Sequence, residues 1–247
     1  LATYAFICWC DFCLGYGSNI MLTRGGIEFL AVLLGITLSL YIDQQAENRS
    51  VAKTEMALLS DLQVSLNQDI SYIDKVLNDL KVSFKAQERL ISFPCDQVDN
   101  LSEEELANLF RNVLRGSTSL FPRYGVYRSL VSNSEMKYID NQDLKYKLID
   151  LYDFQFKRYE KIDPIITNLY QYGLSKFLVE EFGYYRNKDF EINEEHLVIN
   201  KEAFCDGALK KEIMKISTMT AAVNKMLEMI LESMSIVSSL IGEEIIN

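Results

Sequence analysis

His196 is the only histidine in the 247-residue chain, so any acid–base or nucleophilic chemistry centred on imidazole has to run through it. It stands in a polar stretch between Glu195 and Leu197, with no nucleophile elbow or neighbouring base to mark a Ser-His-Asp set. The phosphate-cradling G-x-x-x-x-G-K-[ST] loop, the dinucleotide G-x-G-x-x-G and the zinc H-E-x-x-H are all missing, and no E-x-x-H pair supports a di-iron bundle. Cys8, Cys10 and Cys13 offer three thiolates, but a zinc site wants a fourth ligand and paired C-x2-C spacing. Glu180-Glu181, Glu194-Glu195 and Glu243-Glu244 read as solvated surface, and Glu103 to Glu105 as a helix N-terminus favoured by the macrodipole. The expectation is a chain that is not an enzyme, with no catalytic, cofactor-binding or metal-ligating residues.

Other residue types leave alternatives open. Cys95 and Cys205 would pair in an oxidising compartment, but two cysteines in connections prescribe nothing, and the reduced state is the expectation. The fourteen tyrosines, Tyr124, Tyr127, Tyr138, Tyr146, Tyr152, Tyr159, Tyr170 and Tyr172 among them, either line a ligand cleft or pack helices with their hydroxyls at the surface; packing is the commoner use. Glu28 is the residue to single out, because an ionisable group in an apolar span is costly unless paired or hydrated. Near the start of the span it is expected to pair with Arg24 at the interface, in preference to a role in ion passage or partner recognition. Ala31, Gly35 and Ser39 place small residues every four positions, the spacing that lets helices approach closely.

These residues must be positioned by helices. Proline occurs only three times, and five of the eleven glycines precede residue 36, so nearly everything after the N-terminal region can be continuous helix. Ile27 to Ile42 carries one charge, Glu28, over about 24 Å of helix. Extended back through Ile20, it reaches the roughly 30 Å of a bilayer core. Residues 20–43 therefore read as one transmembrane helix, residues 44–247 as a helical bundle domain, and residues 1–19 as an N-terminal extension of uncertain status, with Met21 a candidate start. Arg24 on one flank and Arg49 and Lys53 on the other leave the positive-inside count nearly tied.

Leu59, Leu62, Leu66, Ile73, Leu77 and Leu80 continue a helical stripe until Phe93-Pro94 ends it. Asp61, Asp69, Lys75, Asp79, Lys81 and Lys85 read as its solvated face. Ser102 to Glu105 is a capping box that opens the next helix, which closes at Gly116. Arg123 to Val131 reads as a short helix or turn. A long helix from Asp140 or Asn141 carries Leu144, Leu148, Leu151, Tyr152 and Tyr159, and Asp163-Pro164 is expected to kink or interrupt it. Residues 183–201 read as a loop with extended candidates at 190–192 and 197–199. Ala203 to Glu244 reads as a last helix with a possible break at Ser217-Thr218. The fold class expected is all-α: one N-terminal transmembrane helix continuing into a long-helix antiparallel bundle.

Ile27-Glu28-Phe29, Val32-Leu33-Leu34-Gly35-Ile36, Asp43 and Glu47-Asn48-Arg49, with softer matches at Leu59-Leu62, Tyr127-Arg128-Ser129-Leu130 and Met136 to Leu144, resemble an uncharacterised family of single-span bacterial membrane proteins. The resemblance implies an inner-membrane anchor, an α-helical domain of unknown function, and no catalytic residues to carry over. The chain departs from it in lacking a basic N-terminal stretch.

With a net charge of −10 and no basic stripe, nucleic acid is not an expected partner. The partners expected are membrane lipid, further copies of the chain, and another membrane protein. The function expected is that of a membrane-anchored, oligomeric scaffold or accessory subunit, with the helical domain on the periplasmic side. The alternatives are a sensor-like ligand-binding bundle and an ion-conducting oligomer built on Glu28.

Overall fold

The computed structural model describes residues 20–185 and 196–246, with side chains from Glu28 onward. The three N-terminal cysteines, the side chain of Arg24 and the extended candidate at 190–192 lie outside the described residues. Helices supply all the regular structure, and no strand occurs among the described residues. The chain divides into two compact units, Leu1–Thr54 and Glu55–Asn247.

Helix α1 (Ile20–Ser92) is unbroken, and after Gly35 it contains neither glycine nor proline to weaken it. In the first unit every described side chain from Glu28 to Ser50 is exposed. An 18-residue window there has a mean hydropathy of 1.4 with none of it buried, so this helix is long and apolar enough to cross a membrane. Thr37 returns its hydroxyl to the carbonyls of Leu33 and Leu34.

In the second unit the expected stripe of α1 is the core face: Leu59, Leu62, Leu66, Ile73 and Leu80 are all buried. Asp69, read from the sequence as solvated, is a correction, because it too is fully buried, as are Ser83 and Gln87. A polar residue can sit inside a helix's contact face when its hydrogen bonds are met there, and periodicity alone does not register that.

Helix α2 (Glu103–Leu114) begins at the expected capping box, with the amide of Glu105 donating to Ser102 Oγ at 3.2 Å and the amide of Ser102 to Glu105 Oε2 at 3.5 Å. Helix α3 (Gly125–Ser132) ends at Ser134, which takes a left-handed φ of 57°. Then α4 (Gln142–Ile149), α5 (Phe156–Asn168) and α6 (Lys176–Phe182) follow one another through two π-helical segments, Asp150–Gln155 and Leu169–Ser175. Of the kink or interruption expected at Asp163-Pro164, the interruption does not occur, since Pro164 lies inside α5. Proline removes one backbone bond, while Tyr159 and Ile166 on either side of it are buried and hold the helix on the core.

At Gly183, φ is 62° and a Cβ would lie 1.9 Å from the carbonyl oxygen of His196, so only glycine fits this turn. Leu197 to Ile199 is not a strand; the amide of Val198 makes a single bond to the Phe182 carbonyl at 2.9 Å. Asn200 caps α7 (Lys201–Cys205), accepting from the amide of Ala203 at 3.0 Å. A bend through Gly207, at φ 83°, leads to α8 (Ala208–Ile246). This bend separates what the sequence suggests is one segment, whereas Ser217-Thr218 causes no break. Their propensity deficit is a few tenths of a kcal/mol each, less than the burial of Ile213, Ile216 and Val223 around them returns.

Cys95 and Cys205 form a disulfide with a Cα–Cα separation of 5.3 Å, which overturns the reduced expectation. Local packing brings them together: Phe93 and Phe204 lie 5.9 Å apart at their ring centres, and Lys201 Nζ meets Asp99 Oδ2 at 2.5 Å.

Candidate functional site

After a 3-10 turn at Arg115–Ser117, the segment leading to α3 carries no regular structure, yet side chains from two helices fix its backbone. Tyr72 donates to the Ser119 carbonyl at 3.1 Å. The amide of Leu120 donates to Tyr159 OH at 2.8 Å, and the amide of Arg123 to Asp69 Oδ2 at 2.8 Å. The guanidinium of Arg123 closes on the other Asp69 oxygen at 2.5 Å. This clamping sets Tyr124, Tyr127 and Arg128 against the first π segment and α5.

The π segment matters here because its extra residue per turn changes which side chains face inward. Leu151 and Tyr152, adjacent in sequence, are both buried. Tyr152 stacks on Tyr127 with ring centres 4.4 Å apart, and Tyr124 meets Tyr152 and Phe156 edge-on at 5.9 and 6.0 Å. Asp153 lies at the rim, accepting from Tyr127 OH at 2.6 Å and Lys157 Nζ at 2.5 Å. The lysine first and the tyrosine second hold its carboxyl below the usual carboxylate range, against a small opposing effect of burial.

Two depressions share Tyr124. One, of about 370 Å³, is lined by Tyr127, Arg128, Asp153 and Lys157, with the Arg128 guanidinium 4.9 Å from the Tyr124 ring centre. The other, of about 270 Å³, is lined by Leu120, Phe121, Pro122, Tyr159, Glu160 and Asp163. Tyr159 donates to Asp163 Oδ1 at 2.6 Å. Burial first, and the adjoining carboxylates second, push the hydroxyls of Tyr124, Tyr127 and Tyr159 well above the ordinary tyrosine value: Glu160 acts on Tyr124, Asp153 on Tyr127 and Asp163 on Tyr159. They stay protonated donors. The tyrosines thus do both things that the sequence left open: Tyr127, Tyr152, Tyr159 and Tyr170 pack, and Tyr124 and Tyr159 also line a surface depression.

An alkaline consequence follows from these hydroxyls and from Tyr152 and Tyr170, which burial shifts the same way. Each folded value lies above the unfolded one, so the stability they contribute is full below pH of about 10 and is lost as pH rises through the folded values. Phenolate absorbance in an alkaline titration is expected to rise in step with loss of helical circular dichroism. Complete ionisation of all fourteen tyrosines with helicity intact would contradict this.

A second polar cluster lies inside the core. Gln87 Nε2 donates to Ser83 Oγ at 2.9 Å and to Tyr170 OH at 3.0 Å, Ser83 Oγ donates to the Val113 carbonyl at 2.6 Å, and Tyr170 OH meets Thr220 Oγ1 at 2.9 Å. It ties α1, α2, the second π segment and α8 together in one register. Gly116 makes room for it, because a Cβ there would lie 2.0 Å from Tyr170 OH. Gly116→Ala is expected to cost about 2–3 kcal/mol by displacing that hydroxyl from its partners. Urea unfolding measures it, and an unchanged midpoint would contradict it.

The residues singled out from sequence lie elsewhere. Glu28, Ala31, Gly35 and Ser39 are exposed on α1, and nothing lies within 4 Å of a Cβ built on Gly35. The Arg24–Glu28 pairing falls on a side chain outside the described residues. His196 is exposed and stacks against Tyr185 at 5.6 Å. Among the described residues no group of three His, Cys, Asp or Glu is placed to hold a metal ion. Sequence reasoning missed Asp69, Arg123, Glu160 and Asp163. The tyrosine-rich stretch around Tyr124 was the available signal.

No family model matches the chain, and no curated protein or solved structure matches it either.

Proposed function

We propose that the chain is a membrane-anchored helical scaffold or accessory subunit of a membrane complex, non-catalytic and oligomeric, with its long helices arranged as an antiparallel bundle. The observation that carries this reading is the exposed apolar run of α1: Phe29, Val32, Leu34, Ile36, Leu38 and Leu40 are each more than half exposed. No described residue covers them, and lipid or partner helices are the surroundings in which such a run is stable. Ala31, Gly35 and Ser39 offer the close-approach face for a partner helix. The bundle arrangement is supported by side-chain bonds that pair rising positions from the α4 cap to the second π segment with falling ones on α8, Asn141 with Glu244, Gln155 with Ser233 and Tyr170 with Thr220, while Gln63 ties α1 to Ser238 of α8.

The Cys95–Cys205 disulfide supports an oxidising location for the helical domain, which in a bacterial inner membrane is the periplasmic side. The test is the native mass of the protein extracted from its own membranes in mild detergent, with every co-purifying chain identified. A closed homo-oligomer that Gly35→Leu disperses, or a fixed ratio with another membrane protein, supports the reading. Recovery in the soluble fraction as a monomer overturns it. A second reading, a ligand-binding sensor, is favoured by one observation: the depression beside Tyr124, lined by Glu160 and Asp163.

A further inference from the structure

The two depressions on either side of Tyr124 have the same chemical make-up, aromatic rings beside carboxylates, but differ in one component. In the first, the chain supplies its own cations. Arg128 lies over the Tyr124 ring, and Lys157 neutralises Asp153. In the second, Glu160 and Asp163 form no ion pair among the described residues. Tyr159 fixes the Asp163 carboxylate, and the same hydroxyl anchors the Leu120 amide, so wall and carboxylate are set relative to each other before anything binds. Pro164 has no N–H to give the Glu160 carbonyl, which leaves a further acceptor on this turn of α5. Phe121 is 72% exposed at the same place, a large apolar ring that no core contact accounts for.

We propose that this depression binds an organic ammonium ion, held between the rings of Phe121 and Tyr124 and the carboxylates of Glu160 and Asp163, with the buried Tyr159 behind them. Aromatic faces attract a cation through the ring quadrupole, and a carboxylate beside them supplies charge and acceptors without excluding alkyl groups. The volume, about 270 Å³, suits a small alkylammonium head. The ammonium group comes either from a free amine or from a lysine side chain of a partner. The site gives the ligand-binding reading its ligand class, and it stands whether or not the chain crosses a membrane.

The test is calorimetric titration of the full chain in maltoside detergent with tetramethylammonium chloride and, separately, with Nα-acetyl-lysine methylamide. Sodium chloride at equal ionic strength and tert-butanol serve as controls. Saturable binding of either probe is expected, weakened at least tenfold by Glu160→Gln and by Phe121→Ala and unchanged by Asp153→Asn. Both weakening positions are solvent-exposed, so melting temperature should not move. Tighter binding of the lysine derivative assigns the cation to a partner chain, and tighter binding of tetramethylammonium assigns it to a free quaternary amine. Absence of saturable heat for both probes up to about 50 mM, equal binding of sodium, or an affinity that neither substitution alters overturns the proposal.

Discussion

Replacing Arg123 by alanine is expected to destabilise the helical domain by about 3–5 kcal/mol, and by more than replacing Asp69, the buried member of the pair. The two residues are placed asymmetrically: the Asp69 side chain is fully buried, and that of Arg123 is half exposed. Removing the guanidinium leaves a carboxylate in the core with the Arg123 amide as its remaining donor. Removing the carboxylate instead leaves an arginine that can turn into water, together with one unpaired backbone amide, for a loss of about 2–3 kcal/mol. The double variant should lose less than the sum of the two, because no charge is then stranded. Urea unfolding at neutral pH reads all three. An Asp69→Ala loss as large as the Arg123→Ala loss would overturn this asymmetry.

What the sequence made legible was local. The capping box from Ser102 to Glu105 spans four residues, and the structure forms both of its bonds. The stripes of α1 and α8 repeat over many turns, so single exceptions do not blur them. The exceptions are where the reading stopped. Asp69, Ser83 and Gln87 lie on the buried face of α1, but whether a buried polar group is tolerable depends on Arg123, Tyr170 and Val113, which are distant in sequence. The π segments leave no mark that a 3.6-residue period would detect, since the period they break is the instrument of detection. Pro164 shows the converse: its local rule forecast a kink or an interruption, and with Tyr159 and Ile166 anchored in the core the helix runs through it without interruption. The candidate site was half visible, as a concentration of tyrosine, and half hidden, because Phe121 and Glu160 meet only when the loop before α3 folds onto α5.

Replacing both Cys95 and Cys205 by serine is expected to cost up to about 4–5 kcal/mol, the loop-entropy value for a closed loop of roughly 100 residues. The cross-link joins positions 110 apart in sequence, and the loop it closes contains α2 to α6. Its effect therefore falls on the unfolded chain more than on native contacts. Native contacts at the same place persist without it: the Phe93–Phe204 rings and the Lys201–Asp99 pair still hold α7 against the turn that follows α1. The variant should fold with its helix content intact, unfold at lower urea, and show a steeper urea dependence, because an unlinked chain exposes more surface on unfolding. A reductant added to the wild-type protein should reproduce the shift and should leave the variant unmoved. Wild-type protein whose unfolding is indifferent to reductant, with both thiols open to alkylation in sealed cells only after the membrane is breached, would place the helical domain on the reducing side. The membrane anchor would then stand and its orientation would reverse, since the exposed apolar run of α1 argues for a span from either side while the disulfide alone argues for one face.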